Sequence, residues 1–249
     1  MRYISVILAS LILTGCLGKA PVTGRSQVVF MSANEENAVG AKGYHEFLQK
    51  AKISTDKIQT ERVRRIGKRI AKAANRPDFN WEFNLVDDKQ VNAWCMPGGK
   101  VVVYTGILAM AKNDDQLATV MSHEVSHALA RHGAERMSHQ KISSGVQQLG
   151  NILLGVTAPQ YTQAFNLAYG VGTQYGVMLP YGRSHEHEAD EIGIHLMKKA
   201  GYNIHEAPKF WQNMKAANPN APMEFLSTHP SDDNRIKKIS QIIQDLDKK

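Results

Sequence analysis

The chain has 249 residues, 43% hydrophobic and 21% charged, which is enough apolar material for one sizeable packed domain and excludes a disordered or fibrous chain. Only two cysteines, Cys16 and Cys95, are present, so a disulfide scaffold is excluded as well. The formal net charge of +7 and pI near 9.3 would suit a polyanion, but the basic residues are scattered or lie on helix faces such as Arg62, Arg64, Arg65, Lys68, Arg69 and Lys72, and no nucleic-acid recognition module is visible. That face reads as solvated, with anionic lipid head groups as the alternative contact.

In chain order, Met1 and Arg2 form a short basic start and Tyr3 to Leu13 an apolar run. The run falls short of the roughly 20 residues that span a bilayer, so a cleaved export signal over residues 1–15 is expected, with the mature chain covering 16–249. Leu13-Thr14-Gly15-Cys16 resembles the bacterial lipobox. That resemblance implies lipidation of Cys16 and anchoring of the exported chain to a membrane through acyl chains; an ordinary secretory signal is the alternative. Leu17 and Gly18 lack the Asp that resembles an inner-membrane retention signal, so the expected location is the periplasmic face of the outer membrane.

Helices are expected near 34–51 and 57–74, the second burying Ile58, Val63, Ile66 and Ile70. Asn80 to Val86 alternates like a half-buried strand. Strands at 91–96 and 100–104 flank a turn at Pro97-Gly98-Gly99. Cys95, inside the first of these strands, reads as a small buried residue rather than a nucleophile.

The segment Asn113 to Ser122 supplies an N-cap, acidic first-turn residues and apolar Leu117, Val120 and Met121 at helical spacing, predicting a helix that continues to about Gly133. On it lies His123-Glu124-Val125-Ser126-His127, an HExxH pattern. Residues four apart share a helix face, so His123 and His127 can aim two ring nitrogens at one zinc ion, and Glu124 lies where a general base would stand. A catalytic zinc needs a third protein ligand. His132, nine residues after His123, would project from the far side of the same helix and reads as solvated or capping. Glu186 and Asp190, four apart on a helix running to about Ala200 with Gly201 as its cap, offer two carboxylates on one face.

Ile142 through Gly182 contains no Asp, Glu, Lys, Arg or His. Interspersed Gln and Asn argue against a membrane-spanning helix. Two helices broken near Pro159 are expected, packed beside the cleft as a lid or against a membrane surface, with plain core packing as the alternative. Helices near 204–217 and 231–246 follow, the latter with Ser231 as N-cap and Ile236, Ile239, Ile243 and Leu246 as its core stripe; no helical repeat is detectable.

HEVSH, RSHEHEAD, NAWCMPGGKVVVYTG, PVTGRSQ and THPSDDNRI together resemble the gluzincin metallopeptidases of the HtpX, Oma, BepA and LoiP group, over nearly the whole mature chain. The resemblance implies an α+β, zincin-like fold, mostly helical in a single domain with a small β-sheet. It implies one zinc ion per chain held by His123, His127 and Glu186, with Asp190 orienting a ligating imidazole and Glu124 as catalytic base. His187 and Glu188 fall outside the pattern and read as structural. Asn92 and Ala93 would form the lip of the substrate cleft, simple hairpin structure being the other reading. His229 would lie near the metal, either stabilising the oxyanion or occupying the open position at rest, though a histidine ahead of a helix can also be structural. The implied function is hydrolysis of peptide bonds in misfolded or unassembled cell-envelope proteins; the alternative is a non-proteolytic assembly factor or holdase with a masked zinc site.

Overall fold

The computed structural model describes residues 17–20, 22–216, 224–229 and 233–248. Cys16, the export signal and Ser231 lie outside the described residues.

Strands β1 (Leu17–Lys19) and β2 (Ser26–Val28) pair antiparallel with Gly18 opposite Gln27. Helix α1 (Ala33–Leu48) starts at a capping box, in which Ser32 accepts from the Glu35 amide and the Glu35 side chain takes the Ser32 amide. Helix α2 (Lys57–Ala74) is N-capped by Asp56 and ends at Asn75, whose φ of 51° is the left-handed stop that Asn tolerates. Val63, Ile66 and Ile70 are fully buried as the 3.6-residue period requires, but Ile58 in the first turn is 80% exposed and does not belong to the stripe.

Strands β3 (Glu82–Val86), β4 (Ala93–Met96) and β5 (Lys100–Tyr104) form a sheet of order β3-β5-β4. β5 is central and buried along its length; it runs parallel to β3, with Phe83 opposite Val101, and antiparallel to β4, with Ala93 opposite Val103. The β4–β5 turn needs Gly98 and Gly99, both at φ 81°. Among the described residues β4 pairs on one side only, and Ala93, Trp94 and Cys95 of this edge strand line the cleft described below.

After the short helix α3 (Thr105–Leu108), helix α4 (Asp114–Leu129) is capped by Asn113, which accepts from the Gln116 amide. Leu117, Val120, Met121 and Val125 are buried against α2 and the sheet, each contributing roughly 1.5–3 kcal/mol of apolar transfer. The helix does not continue to Gly133. It ends at Leu129 and the chain turns through Arg131, held at φ 60°. Arg131 donates to Glu36 at 2.7 Å and to the Met31 carbonyl at 2.6 Å, contacts that offset the unfavourable left-handed backbone.

Helix α5 (His132–Thr157) therefore begins at His132 and runs on in a new direction. A break at Ala158, a 3-10 turn (Pro159–Tyr161), helix α6 (Thr162–Thr173) and a π-helical turn (Gln174–Met178) lead into α7 (Leu179–Lys199). The far half of α5 and α6 are tied by Gln147 to Asn166 at 2.9 Å and by the Tyr169 hydroxyl to the Ser143 carbonyl at 2.8 Å. Plain core packing does not describe this segment. No residue of α6 is buried, and Leu149, Leu153, Val156 and Leu167 are all exposed. No helix among the described residues is long and apolar enough to cross a membrane.

Helix α7 packs closely on α4. A Cβ added at Gly193 would stand 3.3 Å from the His123 amide nitrogen, so the glycine permits the approach that brings the α7 carboxylates to His123. Helices α8 (Glu206–Ala216), α9 (Glu224–Thr228) and α10 (Asp233–Asp247) close the far side, with Ile239, Ile243 and Leu246 buried and Ile236 partly buried against the core. The architecture is α+β and mostly helical, with small sheets and one continuous core through α2, the sheet, α4, α7 and α8.

Candidate metal centre

His123 and His127 lie one turn apart on α4, and α7 presents Glu186 to both. His123 Nε2 is 3.1 Å from His127 Nε2 and 3.2 Å from Glu186 Oε2; His127 Nε2 is 3.3 Å from Glu186 Oε1. From the end of α9, His229 places Nδ1 3.0 Å from Glu186 Oε2 and 3.2 Å from His123 Nε2. The donor atoms of these four residues all lie within 4.8 Å of one another. Nitrogen and oxygen ligands about 2.0–2.2 Å from a tetrahedral zinc are separated by about 3.3 Å along each edge, so the set fits that ion in donor chemistry and spacing.

Each α4 histidine is oriented from behind. Asp190 Oδ1 lies 3.0 Å from His123 Nδ1, which leaves Nε2 for the cluster. His127 Nδ1 is 2.9 Å from His132 Nδ1, and His132 Nε2 is 3.0 Å from Glu188 Oε2. His132 is thus neither solvated nor capping. It is 2% exposed, and the turn at Arg131 redirects the chain so that the nine-residue rotation counted along one continuous helix does not apply.

Two charged residues at the site carried no sequence assignment. Arg235 of α10, 1% exposed, donates from Nε to Asp190 Oδ2 at 2.6 Å and from Nη2 to Asp190 Oδ1 at 2.8 Å. It also reaches Glu186 at 3.3 Å and stacks its guanidinium 3.7 Å from the centre of the Trp211 ring. Arg25, ahead of β2, bridges Glu188 and Glu135. Both lie within THPSDDNRI and PVTGRSQ, so the signal was present without pointing to a partner far along the chain.

The charges are strongly coupled. Burial pushes the Glu186 carboxyl up, but His123, His127 and His229 outweigh it and hold the group ionised far below the usual carboxylate range. Burial and the Arg235 charge push the His123 imidazolium down, whereas Asp190 and Glu186 leave it raised to about 9. Burial drives His127 well below its ordinary value, and His132 down to about 4. Burial raises Glu124, and its Oε1 has no hydrogen-bond partner; His229 Nε2 stands 3.5 Å away. A buried acceptor without a donor beside a metal-ligand cluster is suited to receiving a proton from something bound there.

A cleft of about 800 Å³ opens over this centre. Asn92, Ala93, Trp94 and Cys95 form one wall, Glu124, His127, Glu186 and His229 lie in it, and Met178, Leu179 and Tyr181 at the base of the uncharged segment form another wall. Cys95 is free and packs against the core, and burial pushes its thiol up, which does not suit a nucleophile.

Residues 57–243 match the sequence profile of peptidase family M48. The chain belongs to that family. It is similar to mitochondrial metalloendopeptidase OMA1 of Schizosaccharomyces pombe, 32% identical over 89% of this chain and 65% of the relative, and to the OMA1 of Saccharomyces cerevisiae, 33% identical over 90% and 68%. It is also similar to the beta-barrel assembly-enhancing protease of Escherichia coli, 31% identical over 87% of this chain and 45% of the relative. The chain thus spans about half to two thirds of the length of these curated relatives.

Proposed function

We propose that the chain is a zinc-dependent metalloendopeptidase that hydrolyses peptide bonds of misfolded or unassembled cell-envelope proteins. The observation that carries this reading is the buried Glu124 carboxylate, whose Oε1 accepts no hydrogen bond and faces His229 at 3.5 Å, beside a donor set spaced for zinc in a cleft lined by β4, an edge strand among the described residues.

His123, His127 and Glu186 would hold the zinc, with Asp190 fixing His123. Bound there, zinc would lower the pKa of water towards about 7 and polarise the scissile carbonyl. Glu124 takes the proton from the attacking water at Oε1 and later returns it to the leaving amine, a cycle that its raised pKa favours because acceptor and donor forms lie closer in energy. An extended substrate adds to the free edge of β4 at Asn92 and Ala93, where backbone pairing selects unfolded segments without selecting sequence. His229, whose Nδ1 lies 3.0 Å from Glu186 and 3.2 Å from His123, would serve as a further ligand at rest and give way to substrate, which would keep folded neighbours from being cut.

The envelope assignment rests on the export-type start of the chain, on the lipobox resemblance that would anchor Cys16 at the outer membrane's periplasmic face, and on similarity to a beta-barrel assembly-enhancing protease. The test is digestion of an unfolded protein such as casein after chelator treatment and after return of zinc. Activity lost with the metal and restored by about one equivalent supports the reading; digestion that survives metal removal contradicts it. Recovery of the chain in a membrane fraction, sensitive to Cys16→Ala, tests the anchor.

A further inference from the structure

A continuous chain of contacts leads from the start of the described chain to His127. Arg25 donates from Nε to Glu188 Oε2 at 2.7 Å, and from Nη1 and Nη2 to the two Glu135 oxygens at 2.9 and 2.7 Å. The Thr23 hydroxyl donates to Glu188 Oε1. Glu188 Oε2 meets His132 Nε2, and His132 Nδ1 meets His127 Nδ1. Glu135, the other carboxylate on Arg25, lies 3.1 Å from His185 Nε2, whose ring stacks on His132 with centroids 3.9 Å apart. Glu135, Glu188, His132 and His185 are all at most 5% exposed. The turn that presents Thr23 holds Val22 at φ 65°, a conformation that a β-branched residue adopts only under constraint.

Proton placement follows from this geometry. Two imidazole Nδ1 atoms 2.9 Å apart require one donor and one acceptor. An ionised Glu188 accepts from Nε2 of His132, so the proton of a neutral His132 sits on Nε2 and its Nδ1 must accept. His127 then carries its proton on Nδ1, and its Nε2 lone pair faces His123 and Glu186. An ion pair that served only to tie β2 to α5 and α7 would not need this order of atoms.

We propose that Thr23 and Arg25 are positioning residues of the metal centre, acting through Glu188 and His132 to hold the His127 imidazole in the tautomer and direction in which Nε2 binds the ion. The inference rests on His127 being a ligand, as in the proposed function. It assigns to the N-terminal segment a share in metal affinity over 100 residues away in the chain.

Chelator competition with zinc, and the visible spectrum of the cobalt(II)-loaded form, would be measured on the full protein for wild type, Arg25→Met and Thr23→Val, with circular dichroism of each metal-free form. For Arg25→Met, zinc affinity falls by about 10- to 100-fold and the cobalt bands change, the effect expected when the group orienting a ligand is lost. Folded Arg25→Met with affinity within twofold of wild type and unchanged bands overturns the proposal. If Arg25→Met does not fold, Thr23→Val decides, because it removes the hydroxyl bond to Glu188 and the long 3.5 Å bond from the Arg25 amide but leaves both ion pairs: a drop of about fivefold is expected, and no drop overturns the proposal. Failure of the wild type to bind zinc or cobalt overturns the functional reading and this inference together, an outcome distinct from the others.

Discussion

Arg235 and Asp190 form a bidentate pair, Nε to Oδ2 at 2.6 Å and Nη2 to Oδ1 at 2.8 Å, between two helices that share no sequence neighbourhood. Asp190 also faces His123 Nδ1 at 3.0 Å, so one carboxylate joins the last helix of the chain to the HExxH helix. The pair serves the site and the fold together, since α10 carries the Arg235 that also touches the His229 carbonyl at 3.3 Å.

Arg235→Ala leaves Asp190 and Glu186 buried without their cation, a loss of about 3–5 kcal/mol. At about 2–4 °C per kcal/mol for a domain of this size, calorimetry of the metal-free protein is expected to show the melting temperature falling by about 10 °C. Arg235→Lys keeps the charge but not the fork, and is expected to recover only part of the loss.

Glu186→Ala removes the one carboxylate that meets both α4 histidines. Zinc content after dialysis, read by atomic absorption, is expected to fall from near one per chain to a small fraction. Retention of full zinc would mean that Asp190 or another residue completes the set.

His229→Ala separates two roles. Under the proposed masking role, His229→Ala is expected to raise turnover of unfolded substrate while zinc stays near one per chain. A drop of about 10² at full zinc would instead mark a donor to the oxyanion and remove the masking role.

Acid is expected to loosen the N-terminal network. Burial raises Glu188, but His132, Thr23 and Arg25 more than offset it and hold its carboxyl at about 2, below the ordinary value of 4.5; Glu135 is held lower still, chiefly by Arg25 and His185 against burial. A depressed carboxylate stabilises the fold fully above its unfolded pKa, and that contribution is lost as pH falls through the folded one. The metal-free protein should therefore lose melting temperature between about pH 4.5 and 2, and Thr23→Val should lose less over the same range.

Periodicity located α2 at residues 57–74, and turn chemistry located Gly98 and Gly99, because both depend on near neighbours. The HExxH spacing anticipated the approach of His123 to His127 for the same reason. The end of α4 was not legible: its stop is Arg131 in the left-handed region, held by Glu36 and the Met31 carbonyl, and neither Gly nor Pro marks it. Counting along one helix past that point put His132 on the wrong side. Arg25 and Arg235 meet Glu188 and Asp190 across 163 and 45 residues, contacts that only tertiary structure creates. Ile58 has an apolar side chain in helical register but stands in the first turn, beyond the reach of the core.

Glu124→Gln isolates proton transfer from every other role of this side chain, because the amide can still hold water by hydrogen bonding but cannot accept its proton. Zinc content and hydrolysis of an unfolded protein would be measured on the same preparation. The expected result is zinc near one per chain, an unchanged or higher melting temperature and turnover reduced by about 10²–10⁴. Turnover within a few-fold of wild type at full zinc would contradict the account.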